Sequence, residues 1–236
     1  MKKLSQYFAS WKDKADVFLE ACWFYICFHY GRRGREGWTS MTKDTFTVKT
    51  NDEDIAYVCM THTEVTKNHQ GGHKQHDIDY SDQRMYGPGV EIYKHLMSKL
   101  HPKTNRLFQN PLNCYSPDAA IWFKNEPMGK NTLSTIMKRI STKAGLSQQY
   151  TCHSVRASTV TTLFQAGVTP QSIIAITKHK NTSSLGHYIE DISVPQKRQY
   201  SSILSDALAV PEKEEVSHFS LYVIIFILSY LYLIKE

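Results

Sequence analysis

The chain has 236 residues, 41% of them apolar and 21% charged, with eleven glycines and eight prolines. It can therefore bury a sizeable core and is not collagen-like, low-complexity or wholly disordered. Lysine and arginine exceed aspartate and glutamate by 28 to 22, a formal charge of +6, which permits a polyanionic partner without demanding one.

The lead-in MKKLSQYFASWKDKAD (1–16) has two early lysines but no apolar segment ending in a small-residue cleavage site, so no secretory signal is read. Residues 15–30, ADVFLEACWFYICFHY, form an apolar stretch of about four helical turns broken by Glu20. That is short for a membrane span and reads as a helix buried in a core. DTFTVK (44–49) and IAYVCMTH (55–62) alternate apolar with polar residues around the turn-rich TNDED, the pattern of a β-hairpin, and a polar, glycine-containing loop follows.

Helical spacing returns at Val90, Tyr93, Met97 and Leu100 and stops at Pro102. A second such helix follows Asn131, with Leu133, Ile136, Met137, Ile140 and Ala144 on one face and Gly145 just beyond its end. A third runs from about Thr151 to Ala166 and is stopped by Gly167. Thr169 and Pro170 then supply the cap and first position of a short helix carrying Ile173, Ile174 and Ile176. The cap-rich NTSS opens a segment with Leu185, Tyr188 and Ile189. The expected fold class is mainly α with a small antiparallel β-sheet (α+β), without internal repeats.

Five scattered cysteines with no Cys-x-x-Cys pair argue against a disulfide scaffold and for a reducing compartment. His62, His69, His73 and His76 crowd one loop near Cys59, but their spacing matches no structural zinc pattern. A solvated histidine-rich loop is the favoured reading, and neither metal nor cofactor is expected.

The residue types that a metal-free phosphodiester transfer needs occur in five separated pieces. His153-Ser-Val-Arg156 places an imidazole and a guanidinium on one helix face. His179 and, nine residues later, Tyr188 follow; Arg33 lies far upstream in GRRGREG, and Lys67 lies in the loop after the second strand. Two guanidiniums can each donate paired hydrogen bonds to the nonbridging oxygens of a phosphate under attack, which a point charge cannot match. Tyr188 is the candidate nucleophile, and its phenol needs cations or a base to lose its proton. Arg32 is an alternative to Arg33, since adjacent side chains cannot both point inward.

This constellation resembles the tyrosine recombinase (phage integrase) catalytic domain. Arg33-Gly-Arg-Glu36 is similar to the family's R-x-x-E, Lys67 in TEVTKNHQGG to its β-hairpin lysine, His153-Ser-Val-Arg156 to its H-x-x-R box, and Thr177-Lys178-His179 with Tyr188 to its last histidine and nucleophile. The wording of HYGRRGREGW, TKNHQGG and GKNTLSTIMKRISTKAGLSQQYTCHSVRA looks like the Crypton-type branch, whose domesticated relatives occur in MYM-type zinc-finger proteins.

The resemblance covers about residues 15–205. It implies double-stranded DNA as partner, assembly into a homo-oligomer on that DNA, and a nuclear location. It also implies roles: Arg33 and Arg156 as phosphate clamp, Lys67 as acid for the departing 5′ hydroxyl, and His153 as proton acceptor or phosphate ligand. His179 would hydrogen-bond the phosphate and brace the pocket. Two departures stand out. Lys178 replaces the usual glycine before the last histidine, and the chain begins at the catalytic domain, whereas the family adds an N-terminal helical domain that clamps the far side of the DNA. The second departure leaves a reading from another class: a domesticated, catalytically silent module that binds DNA or a protein.

The domain plan is thus a lead-in (1–14), a catalytic domain (15–205), an acidic linker (206–218) and an apolar tail (219–236). The tail's 16-residue run, FSLYVIIFILSYLYLI, falls below the roughly 20 needed to cross a bilayer. A helix packed on the domain or a partner, or a stretch that selection never shaped, is preferred to a membrane anchor, and the tail has no assigned role.

Overall fold

A computed structural model describes residues 2–33, 37–61, 83–179 and 181–186, with Arg198, Ser201 and Ser202. The chain divides into two compact units, Met1–Asp191 and Ile192–Glu236, and the helices and strands between Lys2 and Leu185 all belong to the first. The histidine-rich loop from His62 to His76, the acidic linker and the apolar tail lie outside the described residues. Among the described residues no helix is long and apolar enough to cross a membrane.

Helix α1 (Lys2–Phe8) and a short 3-10 turn (Trp11–Asp13) lead into α2 (Ala15–His29). Leu4 and Phe8 of the lead-in are buried in the main core. Buried residues run all round α2, from Ala15 to Cys27, as its nearly uninterrupted apolar sequence predicts for a central helix. Trp23 and Phe18 are fully buried on it, and side chains of this kind contribute about 1.5–3 kcal/mol each when removed from water.

The polar exception, Glu20, is itself 0% exposed. Its carboxylate accepts from Tyr7 Oη at 2.6 Å, Arg139 Nε at 2.6 Å and Lys143 Nζ at 3.2 Å. A buried charge persists only when paired, so this one residue ties α1 and the later segment carrying Arg139 and Lys143 to α2.

Strands β1 (Phe46–Thr50), β2 (Ala56–Met60) and β3 (Arg84–Met85) form an antiparallel sheet in that order, with Phe46 opposite Met60 and Val58 opposite Met85. Asn51 Oδ1 accepts from the backbone N–H groups of Glu53 and Ile55, which closes the hairpin turn. Helix α3 (Pro88–Lys99) packs beside α2. Tyr93 on it donates to the Phe46 carbonyl at 2.9 Å, and Tyr30 just after α2 donates to the Val58 carbonyl at 2.7 Å. These two phenols fix the sheet to the helices.

A second ribbon, β4 (Gln109–Pro111) with β5 (Phe123–Pro127), precedes α4 (Lys130–Ser134) and α5 (Ile136–Lys143). The single helix expected after Asn131 is broken at Thr135, where the backbone leaves helical geometry (φ −105°, ψ 1°). The hydroxyls of Ser134 and Thr135 both donate to the Asn131 carbonyl, at 2.9 and 3.0 Å, the kind of back-bonding that bends helices. The apolar face survives the break, with Leu133, Ile136, Met137 and Ile140 all buried.

Helix α6 (Cys152–Gln165) begins in a capping box between Thr151 and Ser154, and α7 (Pro170–Thr177) is capped by Thr169. A small satellite core of Val160, Ile173 and Leu185, with Leu163, Phe164, Val168 and Ile174 against it, joins α6, α7 and the 3-10 turn Thr182–Leu185. The described architecture is therefore mainly α with small antiparallel sheets, as the sequence predicts.

Candidate active site

Three chain segments converge: the turn after α2, the first half of α6 and the end of α7. Helix α6 is tied to the end of α2 by Thr159, whose hydroxyl donates to the Phe28 carbonyl at 2.8 Å. One turn earlier on α6, Arg156 is only 5% exposed. Its Nη1 donates to the Gly31 carbonyl, and its Nε donates to His179 Nε2 at 3.3 Å. A guanidinium so held has fixed orientation, which is what recognition of an oxyanion needs.

Gly31 permits the close approach. Its φ is +52°, and a Cβ there would lie 2.8 Å from Thr177 Cγ2. The turn after α2 and the last residue of α7 therefore meet with no room for a side chain. Lys178, in the position usually given to glycine, closes α7 in the left-handed conformation (φ 57°, ψ 39°), and its N–H bonds the Ile174 carbonyl at 2.7 Å. Lysine thus keeps the glycine-type turn, at a steric cost of about 1–2 kcal/mol.

Arg32 and Arg33, the alternatives read from the sequence, differ in their surroundings. Arg32 is buried with its guanidinium over the Trp38 ring, 5.2 Å from the centroid. The indole N–H of Trp38 donates to the Arg33 carbonyl at 3.0 Å. Arg33 is half-buried, and its charge is felt at His179. His153 is exposed near the start of α6 and also acts on His179.

Burial first, and then the positive charges of Arg156, Arg33 and His153, pull the His179 pKa down from its ordinary 6.5 to about 4. His179 is therefore neutral at physiological pH. Its Nδ1 lies 2.7 Å from the hydroxyl of Thr177, which is 0% exposed.

Of the six predicted site residues, Arg156 and His179 are hydrogen-bonded to each other, and Arg33 and His153 lie near enough for their charges to act on His179. Lys67 and Tyr188 lie outside the described residues; Leu185, three positions before Tyr188, is fully buried. Among the described residues no group of three histidines, cysteines or acids is placed to hold a metal ion. Gly31, Trp38 and Thr177 are the positioning residues that sequence reasoning missed. Only Gly31 carried a signal, as a glycine directly after an apolar helix.

The fold is of the tyrosine recombinase catalytic-domain type. Residues 57–193 match the phage integrase family, more than half of the chain, and the chain belongs to that family.

Among solved structures the chain is similar to a XerA recombinase, at 14% identity over 90% of this chain and 61% of that one (TM-score 0.48). It is similar to a XerH site-specific recombinase bound to a palindromic difH substrate in a post-cleavage complex, at 15% identity over 86% and 52% (TM-score 0.49). It is also similar to the Tn1549 transposon integrase in complex with circular intermediate DNA, at 13% identity over 84% and 62% (TM-score 0.49). The chain spans 52–62% of the length of these three proteins. No curated protein sequence matches it.

Proposed function

We propose that this domain cuts and rejoins double-stranded DNA through a covalent 3′-phosphotyrosyl intermediate, with Tyr188 as nucleophile. The observation that carries the reading is that Arg156 is hydrogen-bonded both to His179 and to the Gly31 carbonyl, in the turn that leads to Arg33, from segments far apart in sequence. A guanidinium held at a buried position, with further positive charge close by, suits the charge that develops on a phosphate's nonbridging oxygens.

In this reading the Tyr188 oxygen attacks the scissile phosphorus and the bond to the 5′ oxygen breaks. Arg33 and Arg156 stabilise the added negative charge, His153 accepts the phenolic proton or holds the phosphate, and Lys67 protonates the departing 5′ hydroxyl. His179 braces Arg156. The phosphotyrosyl bond conserves the phosphodiester's energy, so the reverse attack by a 5′ hydroxyl reseals the same or another strand.

The Crypton branch, with its relation to the domain of MYM-type zinc-finger proteins, belongs to the same proposal. Support comes from the wording around Arg33, Lys67 and His153. On that reading the enzyme works as a homo-oligomer on chromosomal DNA in the nucleus; imaging of the tagged full chain tests the location.

Incubation with a suicide DNA substrate, in which the cleaved 5′ end diffuses away, tests the chemistry. Wild type should form a denaturant-resistant protein–DNA adduct and Tyr188→Phe none. A wild-type protein that binds DNA in a salt-dependent manner but never forms an adduct would replace the enzyme with the silent binding module.

A further inference from the structure

We infer that Thr177 is a positioning residue that fixes His179 as the Nδ1–H tautomer, so that its Nε2 lone pair holds the Arg156 guanidinium. Both ends of a hydrogen-bond chain require this. At one end, Arg156 Nε can only donate, so His179 Nε2, 3.3 Å away, must accept and carries no proton. A neutral imidazole then has its proton on Nδ1, which donates to Thr177 Oγ1 at 2.7 Å.

At the other end, the single hydroxyl proton of Thr177 goes to the Ile173 carbonyl, 2.6 Å away. With its proton committed there, Oγ1 is left as an acceptor for Nδ1–H. The polarity runs one way, from guanidinium to imidazole to hydroxyl to helix carbonyl, and Thr177 is fully buried. A ring nitrogen's state is commonly set by the bond its other nitrogen makes. The depressed basicity of His179 agrees, because a proton on Nε2 would face the Arg156 Nε–H.

The consequence is specific. In this arrangement His179 orients Arg156 and does not itself offer a proton to a phosphate through Nε2. The hydroxyl at 177 is what sets the tautomer; an apolar side chain of the same size could not. The effect on DNA cleavage rests on the recombinase reading, whereas the tautomer does not.

Imidazole nitrogen-15 NMR of the DNA-free full chain at pH 7 tests it, with His179 assigned by loss of its signals in His179→Gln. Wild type should show a protonated Nδ1 and a bare Nε2. Thr177→Val should admit the Nε2–H tautomer, and Thr177→Ser should restore the wild-type pattern. A protonated Nε2 in wild type overturns the proposal, as does a Thr177→Val spectrum with the wild-type tautomer. If cleavage is demonstrable, Thr177→Val should slow single-turnover adduct formation at saturating DNA about tenfold with unchanged DNA affinity. A missing adduct in wild type counts against the recombinase reading and leaves the NMR result standing.

Discussion

Gly31 and Thr177 are in contact across the site: a methyl group on Gly31 would stand 2.8 Å from Thr177 Cγ2. The contact joins the turn that presents Arg33 to the helix end that presents His179, and the Gly31 carbonyl takes a hydrogen bond from Arg156. Gly31→Ala should therefore destabilise the domain by about 2–4 kcal/mol, from the left-handed backbone at φ +52° and from overpacking. Urea denaturation reads this directly, and a wild-type midpoint would show that the turn relaxes freely.

Stability should depend on pH through His179. Its folded pKa of about 4 lies below the ordinary 6.5, so between those values the unfolded chain binds more protons than the folded one. Stability is then complete above about pH 6.5 and falls as the pH drops toward 4. His29 and His95, each lowered by burial, act in the same direction. Denaturation midpoints between pH 4 and 7 should fall less steeply for His179→Gln than for wild type. Parallel slopes would mean that His179 titrates normally in the folded state.

At Lys178, substitution should help the fold. Its φ of 57° costs an L-residue about 1–2 kcal/mol, while glycine raises the unfolded-chain entropy by about 0.4–1 kcal/mol. Lys178→Gly should come out more stable by about 0.5–1 kcal/mol in denaturant titration. A destabilised variant would mean that the lysine side chain makes a contact worth more than the strain.

Glu20 offers a contrast between buried and exposed charge. Glu20→Gln keeps the shape but removes the carboxylate that accepts from Tyr7, Arg139 and Lys143, and should cost about 1–3 kcal/mol. The exposed Lys94–Glu91 pair, at 3.6 Å, should matter by less than about 1 kcal/mol when Lys94→Met removes it. Equal effects in thermal melts would mean that burial does not strengthen the Glu20 network.

The elements legible in the sequence are those whose pattern is local and long. Helix α2 announces itself by apolar residues on every face, the β1–β2 hairpin by alternation around TNDED, α6 by the Gly167 that stops it and α7 by its Thr169-Pro170 start. Two-residue β3 is too short to show a period. Strands β4 and β5 both end in proline, at Pro111 and Pro127, which reads as loop. The lead-in helix was hidden because Leu4 and Phe8 gain meaning only from the core they enter. Within the site, the three-residue spacing of His153 and Arg156 was readable from helix geometry. The stacking of Arg32 on Trp38 was not, because it depends on a tertiary approach. Thr177 gave no signal, since its partners His179 and Gly31 are set by the turn at Lys178 and by tertiary approach.

The rate of covalent adduct formation on a suicide DNA substrate, in Arg33→Lys and Arg156→Lys proteins with wild-type denaturation midpoints, tests the phosphate-clamp assignment most directly. Lysine keeps the charge and loses the forked donors, so each variant should slow the step about 100- to 1,000-fold. Arg32→Lys, whose guanidinium lies over Trp38, should slow it far less. Wild-type rates in Arg33→Lys and Arg156→Lys, or a wild-type protein that forms no adduct, would contradict the account.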